Sequence, residues 1–389
     1  MYTLLIAIIY LAFISLGLPD SLLGSAWPIM HSDIGVPLSA MGAVSITIST
    51  GTVLSSLLSA KLTKRFSTQT ITTASVFLTA IALLGFSYSK NVAMIFIFAI
   101  PYGLGAGSID AALNNYIALH YSSKHMSWLH CFWGIGTIIS PFVMSYSLSN
   151  LNWNAGYRII SFIQIGIGIV LLLSQKLWKI NETPNEAKPE EGNGLGLISA
   201  IKIRGVPQLL IAFFGYCAAE MTAMMWSTTY LVEAKGMDEE IAAAFGSLFF
   251  IGMTVGRFLG GFVMDRFGDR KMINLGTAII VFGVALVLIP FNNEVVQLIG
   301  LVVIGLGCAP IYPCIIHSTP YNFGTENSGT IIGIQMASAY IGSTVVPPLF
   351  GPIAKLIGFE FFPLYIFCFI MLMSIMINIT FKLTQLNKK

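Results

Sequence analysis

Charged residues are scarce in this chain. Asp, Glu, Lys and Arg make up 10% of the 389 residues, whereas apolar residues make up 56% and the mean hydropathy is +0.81. A soluble domain keeps about a quarter of its residues charged, so this chain has too little charge to cover a water-exposed surface. The composition excludes an ordinary soluble protein and predicts that lipid contacts much of the surface.

The sequence also lacks the signals of several kinds of chemistry. The net charge of +3, with scattered basic residues, does not indicate a nucleic-acid partner. No glycine-rich phosphate loop with lysine, nucleophile–base arrangement or metal cluster stands out. We therefore predict no enzyme activity, no metal and no cofactor. The five cysteines fit neither a disulfide framework nor a zinc site and are expected to pack in apolar stretches: Cys131, Cys217, Cys308, Cys314 and Cys368.

Apolar segments long enough to cross a bilayer as helices recur along the whole chain. The first follows Met1–Thr3 without a charged leader or a cleavage signal, so we expect it to be retained. The sequence thus predicts an all-α integral membrane protein with twelve spans. They lie near 3–30, 37–60, 68–88, 91–119, 126–149, 157–178, 207–232, 240–264, 271–290, 295–318, 328–353 and 358–382.

One long polar stretch, 179–205, separates six spans from six. It is rich in Glu, Asn, Pro and Gly, a composition that cannot bury a core. We predict an N-terminal six-helix bundle at 1–179, a cytoplasmic linker at 180–205 and a C-terminal six-helix bundle at 206–389.

The distribution of Lys and Arg predicts the orientation. With both termini in the cytoplasm, sixteen of these residues fall on the cytoplasmic side and four outside. Arg257 is counted here among the cytoplasmic residues. The bias favours cytoplasmic termini and an even number of spans.

The two halves repeat each other. The segment 51–66 aligns with 252–267 at an offset of 201 residues, and the Gly-Leu-Gly at 103–105 recurs at 305–307. Gly136 and Pro141 recur as Gly342 and Pro347. Such duplicated six-helix halves are typical of secondary transporters, which move one half against the other around a central site.

The break after the eighth span resembles the G-x-x-x-D-R-x-G-x-R-K loop of the major facilitator superfamily. We expect Asp265 to form an ion-pair latch with neighbouring arginines that exists in one conformation and breaks in another. The alternative is that these charges only follow the positive-inside rule. The predicted conformational-switch residues are Gly261, Asp265, Arg266, Gly268, Arg270 and Lys271.

A closer resemblance, to the fucose permease group of sugar:proton symporters, rests on Pro19-Asp20, on 103–114 ending in Asn114, and on Lys64-Arg65. The seventh span, Tyr216 to Gly236, is similar to the glucose and galactose permeases of that group. The resemblance implies proton-coupled sugar transport, a proton gradient as the energy source and a bacterial inner membrane.

That resemblance also implies roles for particular residues. The family's proton-linked carboxylates in the first and fourth spans match Asp20 and Asp110, although fucose permease has a glutamate in the fourth. A sugar-binding asparagine of the fifth span falls at Trp133. These departures concern fucose as the substrate and leave the mode of transport unchanged.

Three acidic residues lie well inside spans, namely Asp20, Asp110 and Glu220. An ionised carboxylate at the bilayer centre costs about 2.5–3.5 kcal/mol on insertion scales, so each must face a cavity or a partner. We expect no intramembrane Lys or Arg that neutralises all three, and we predict that they couple proton movement to transport. The alternative is a protonated carboxyl held in a structural hydrogen bond.

The predicted substrate contacts are these acids together with nearby polar and aromatic residues. Asp110 and Asn114 share a helical face, and His130 and Trp133 supply a titratable ring and a stacking surface. Helix packing is the alternative for Asn114 and His130, and interfacial anchoring is the alternative for Trp226. The full set is Asp20, Asp110, Asn114, His130, Trp133, Glu220, Trp226, Tyr312 and Gln335.

Three functions compete. The first is a secondary active transporter, a proton-coupled symporter of a monosaccharide or a similar small polar solute that works by alternating access. The second is a proton-driven exporter of a sugar-like or amphiphilic compound, and the third is a sensor that binds solute without moving it. A monomer suffices for any of them.

Overall fold

The computed structural model describes residues 2–178, 195–238, 242, 248–289 and 294–386. The described residues are 91% helical and contain no strand. The helices before the linker are α1 Tyr2–Asp20, α2 Leu22–Asp33, α3 Ala40–Phe66, α4 Thr68–Tyr88, α5 Val92–His120, α6 Ser123–Asn150, α7 Trp153–Leu173 and α8 Gln175–Trp178.

The helices after the linker begin with a short one. They are α9 Leu197–Lys202, α10 Val206–Glu233, α11 Leu248–Phe267, α12 Asp269–Leu288, α13 Glu294–Cys308, α14 Ile311–Phe323, α15 Thr325–Ile357 and α16 Phe362–Leu386, with a 3₁₀ turn at Phe359–Phe361 before α16.

The predicted all-α membrane fold is confirmed. Twelve helical stretches of the described residues are long and apolar enough to span a bilayer, and each corresponds to a predicted span. Several are longer than predicted, because the helix continues past its apolar core into polar residues. The fifth, for example, begins at Ser123 and the eleventh at Thr325. The start of the predicted eighth span, 240–247, lies largely outside the described residues.

The helices form two compact units. Unit 1 contains Met1–Tyr116 and Leu129–Gly196, and unit 2 contains Ile117–Trp128 and Leu197–Lys389. The connection between α5 and α6 therefore groups with unit 2, and we name Ile117–Trp128 the α5–α6 segment. Of the predicted linker, 180–194 lies outside the described residues. The predicted domain limits stay a prediction.

The internal repeat corresponds to equivalent helix packing in each unit. In unit 1, a Cβ on Gly51 of α3 would lie 3.2 Å from the Cα of Gly103 on α5. In unit 2, a Cβ on Gly252 of α11 would collide with the backbone of α13, and one on Gly305 of α13 would collide with the backbone of α11. Repeated glycines thus mark the places where two helix backbones touch.

Two spans are discontinuous. The first breaks at Ser21, directly after Asp20, and α2 then continues it. The tenth breaks at Ala309–Pro310, where Pro310 and Pro313 lack the N–H groups that a continuous helix would use. Broken helices expose backbone groups inside a span, and they are tolerated where protein or a cavity satisfies those groups.

Candidate functional site

Asp20 lies at the break of the first span, and its carboxylate is exposed. Its Oδ1 accepts a hydrogen bond from the hydroxyl of Tyr102 on α5, at 3.0 Å. Its Oδ2 accepts one from the indole N–H of Trp133 on α6, at 2.8 Å. Both donors are neutral, so this carboxylate is held by hydrogen bonds without a counter-charge among its partners.

A second polar cluster of unit 1 is buried. Oδ1 of Asp110 accepts from the side-chain amide of Asn114 at 2.7 Å, as expected for residues four apart on one helix. The amide oxygen of Asn114 lies 3.1 Å from Nε2 of His130 on α6. The His130 ring also packs edge-on against Phe13, with 5.4 Å between centroids. A hydrogen-bonded chain therefore runs from α5 to α6.

The same two helices carry both clusters. Tyr102 and Asp110 are eight residues apart on α5, which is roughly 12 Å along the helix axis. Trp133 and His130 are three residues apart on α6 and share a face. Unit 1 thus combines an exposed carboxylate with a buried carboxylate–amide–imidazole chain on shared helices.

The third intramembrane acid has a cationic partner. Glu220 on α10 accepts from Nη2 of Arg257 on α11 at 2.8 Å, and both side chains are buried, at 9% and 4% exposure. This corrects the assignment of Arg257 to the cytoplasmic side, because Arg257 lies in the middle of α11, where it neutralises one of the three acids, Glu220. Arg257 lies inside the span because the polar residues that end the eighth span begin only eight residues later, at Asp265.

Aromatic side chains surround this ion pair in unit 2. The hydroxyl of Tyr216, one turn before Glu220, donates to the carbonyl of Cys308 at the end of α13, at 2.9 Å. Tyr312, on the far side of the same break, packs on Phe213 with 4.7 Å between centroids. Tyr216 thereby provides a donor for a carbonyl at a helix end.

The remaining predicted contacts of unit 2 lie in packed positions. Oε1 of the fully buried Gln335 accepts from the hydroxyl of Thr319 at 2.9 Å. The indole of Trp226 donates to the carbonyl of Pro347 at 2.8 Å and packs against Phe350. Trp226 is thus an interhelical contact between α10 and α15.

The loop signature holds the α5–α6 segment. Oδ2 of Asp265 accepts from the hydroxyl of Ser122 at 2.8 Å, and Oδ1 accepts from the backbone N–H of Lys124 at 3.1 Å. Among the described residues Asp265 has no arginine partner in this conformation, and the conformation-dependent latch stays a prediction. Its partners are instead at the first turn of α6, where free backbone N–H groups attract a carboxylate.

The other signature residues lie around this contact. Gly268 has a φ of +77°, which favours glycine at the turn between α11 and α12. Gly261 lies on α11 against the indole of Trp128, and the Arg270 guanidinium stacks 5.5 Å from the ring centre of Phe381. Arg266 and Lys271 are exposed.

Three residues of these clusters were missed from the sequence. Tyr102 lies 82 positions from Asp20, and no periodicity links the two. Arg257 was counted among the cytoplasmic Lys and Arg residues, although an arginine within an apolar run is a signal of a buried partner. His317, which contacts Asp269, follows an apolar run and gave no pattern.

Twelve membrane helices, an internal repeat and acidic residues within the spans define a multi-pass membrane protein of the transporter class. The sequence profile of the Major Facilitator Superfamily matches residues 9–347 and 236–385, and the chain belongs to this family. The resemblance noted in the sequence is confirmed.

The relatives include transporters of different solutes. The chain is 21% identical over 349 residues to the glucose/mannose transporter GlcP of Bacillus subtilis, covering 88% of this chain and 86% of GlcP. It is 21% identical over 309 residues to the 4-hydroxybenzoate transporter PcaK of Acinetobacter baylyi, covering 70% and 67%. A crystal structure of the E. coli fucose:proton symporter FucP shares the fold, with a TM-score of 0.75, 19% identity and coverage of 96% and 98%.

Proposed function

We propose that this chain is a proton-coupled symporter that carries a monosaccharide or a similar small polar solute by alternating access. Both termini lie in the cytoplasm, the membrane is a bacterial inner membrane, and a proton gradient supplies the energy without a bound cofactor. Membership of the superfamily and the likeness to sugar transporters support this function.

The observation that carries the proposal is the setting of Asp20. Its carboxylate is exposed at a helix break within a span and accepts hydrogen bonds only from the neutral groups of Tyr102 and Trp133 among the described residues. A charge there is costly without a cation, and protonation removes that cost. An exposed carboxyl with this property is suited to load and unload a proton.

Protonation of Asp20 also changes what its neighbours bind. A neutral carboxyl accepts hydrogen bonds more weakly than a carboxylate, so the Tyr102 hydroxyl and the Trp133 indole N–H become available to solute hydroxyls. Proton loading then favours solute binding, and proton release favours solute release. This coupling needs no change in the ion pair of unit 2.

A neutral polar solute fits the described charges better than an aromatic acid such as the one named for PcaK. An organic anion needs a cation to replace its hydration, and Asp20 with its two neutral partners supplies none. The intramembrane arginine of unit 2, Arg257, is already engaged by Glu220. The site of unit 1 offers a hydroxyl, an indole N–H and a carboxyl, which are groups that bind sugar hydroxyls.

The test is uptake of labelled glucose, mannose, galactose and fucose into proteoliposomes, with and without an inward proton gradient. The variant is Asp20→Asn, and its matched control is Asp33→Asn. Asp33 accepts a hydrogen bond of the same length, 2.8 Å, from the indole of Trp153, at the end of the first span. Only Asp20→Asn is expected to abolish gradient-driven accumulation while retaining exchange of solute.

Other outcomes identify the competing functions. Accumulation driven by an outward proton gradient assigns export. Saturable binding without any flux assigns a sensor. Uptake of 4-hydroxybenzoate in place of sugars overturns the solute class, and uptake that ignores both the gradient and Asp20→Asn overturns proton coupling.

A further inference from the structure

His317 of α14 contacts hydrogen-bond acceptors through both of its ring nitrogens. Nδ1 lies 2.8 Å from Oδ2 of Asp269, the first residue of α12. Nε2 lies 3.1 Å from the backbone carbonyl oxygen of Tyr121, in the α5–α6 segment. The Ser123 hydroxyl, next to Nδ1 at 3.0 Å, itself donates to Oδ1 of Asp269 at 2.6 Å. All these residues belong to unit 2.

The two contacts of the His317 ring fix the number of protons that the ring and Asp269 must hold together. A carbonyl oxygen only accepts, so Nε2 must carry a hydrogen to bond Tyr121. The contact between Nδ1 and Asp269 needs a second proton, on either the imidazole or the carboxyl. Both hydrogen bonds exist together only when the His317–Asp269 pair holds two protons, one more than a neutral histidine beside a carboxylate.

We propose that the His317–Asp269 pair is a proton-binding site whose occupancy fastens the α5–α6 segment. When the extra proton leaves, one N–H remains for two acceptors, and the charged Asp269 competes for it more strongly than the neutral carbonyl. The bond to Tyr121 is then lost. The segment then keeps its bonds to Asp265, the bond from Ser123 to Asp269 and bonds to neutral groups, so one of its attachments to unit 2 depends on pH.

Charged and titratable groups reach the pair from α11, α14 and the α5–α6 segment. Asp265 at the end of α11 is the second carboxylate that acts on the His317 ring, and Cys314 on α14 faces Asp269. On the segment itself, Lys124 lies over the Trp128 ring, and His125 packs on Tyr121 with 5.4 Å between centroids. No described residue of α15 or α16 forms an ion pair or a hydrogen bond with the His317 ring.

Protons also have a route to the pair. Asp269 and Arg270 line an open cavity of about 290 Å³ between the ends of α12, α14 and α16, and the polar side chains of Asn322, Thr384 and Gln385 complete much of its wall. His317 and Asp269 retain 21% and 17% side-chain exposure. Asp269 therefore opens to this cavity, and His317 beside it stays partly exposed.

The direction of the effect in the cell rests on the proposed orientation. With the loop in the cytoplasm, acidification of the cytoplasm by proton import fastens the segment, and a rise in cytoplasmic pH loosens it. The proton site itself does not depend on the solute or on proton-coupled transport.

The test is hydrogen–deuterium exchange of the peptide Ile117–Trp128 in nanodiscs, without solute or gradient. Exchange is measured from about pH 6 to about pH 8, which brackets the ordinary range of histidine, and is corrected for its intrinsic pH dependence. Protection is expected to fall by about tenfold or more as pH rises, the effect of losing one hydrogen bond to a charged donor.

Three variants test whether His317 causes the pH dependence of protection. His317→Gln removes the titration and is expected to give low protection at every pH. His317→Lys keeps a cation throughout this range and is expected to give high protection at every pH. His125→Gln is the matched control on the segment itself and should leave the pH profile unchanged.

Three results would overturn the proposal: protection in the wild type that does not vary with pH, a pH profile that survives in His317→Gln and His317→Lys, or a profile that disappears in His125→Gln. Hydrogen–deuterium exchange is measured without transport. A negative sugar-uptake assay therefore does not affect the proposed proton site, and a negative exchange result does not affect the proposed function.

Discussion

Arg257 donates to Glu220 at 2.8 Å in the interior of unit 2, where both side chains are buried. The backbone carbonyl of the same arginine accepts from the Ser127 hydroxyl at 2.6 Å. Arg257 therefore joins α10, α11 and the α5–α6 segment. Because a buried ion pair is costly to break, Glu220 stabilises the fold in a way that Asp20, which pairs only with neutral groups, does not.

Glu220→Gln is expected to destabilise the protein by about 3–5 kcal/mol, because it leaves a buried guanidinium that cannot lose its proton. The measurement is thermal unfolding in detergent, followed by tryptophan fluorescence. Glu233→Gln removes an exposed acid at the end of the same helix and should change little.

The double variant Glu220→Gln with Arg257→Met should recover much of this loss, since no buried charge remains. Additive losses in the double variant would contradict a paired role. A stable Glu220→Gln protein that transports solute without proton coupling would instead assign Glu220 as a proton carrier.

Much of the fold was predictable because lipid imposes simple rules on sequence. Each span needs a long apolar run, so twelve spans follow from hydropathy, and glycines repeated at one offset mark equivalent helix contacts such as Gly51 with Gly103. Local pairs were predictable from the periodicity of the helix. Asp110 and Asn114 are four apart and meet as expected.

Pairings between distant residues were not predictable from spacing. Tyr102 and Trp133 reach Asp20 from two other helices, and sequence periodicity gives a helix face but not the helix it meets. Arg257 was misplaced because counting Lys and Arg treats every cation as a loop residue. Asp265 was expected to meet arginines in one conformation, and in this structure a hydroxyl and a backbone N–H at the start of α6 bind the carboxylate instead.

Trp133→Phe tests whether the indole serves Asp20 or the solute. Phenylalanine keeps a stacking ring and removes the N–H, so the carboxylate loses stabilisation of about 1.5–3 kcal/mol. Gradient-driven accumulation should fall, and KM should rise because the N–H no longer binds solute hydroxyls. Trp133→Leu also removes the ring and should raise KM further. An unchanged KM in Trp133→Phe would show that the N–H serves Asp20 alone.

Asn114→Ala breaks the chain between Asp110 and His130 and leaves two buried polar groups without this partner. A loss of about 1–3 kcal/mol in unfolding free energy is expected, measured by thermal unfolding. A double-mutant cycle with His130→Ala should show a coupling of about 0.5–3 kcal/mol. Strict additivity would contradict the hydrogen bond between Asn114 and His130.

Gly51→Leu tests the close packing of α3 on α5 in unit 1. A Cβ at this position would lie 3.2 Å from backbone atoms of Gly103 and Leu104. A helix backbone cannot change its conformation to make room, as a flexible side chain can. The expected cost is at least the roughly 1–3 kcal/mol of ordinary overpacking, seen as a lower unfolding temperature. Gly42→Leu on the same helix has open space around it and serves as the control. Equal stability of the two variants would show that α3 moves away from α5 at little cost, and the repeated glycines would then need another explanation.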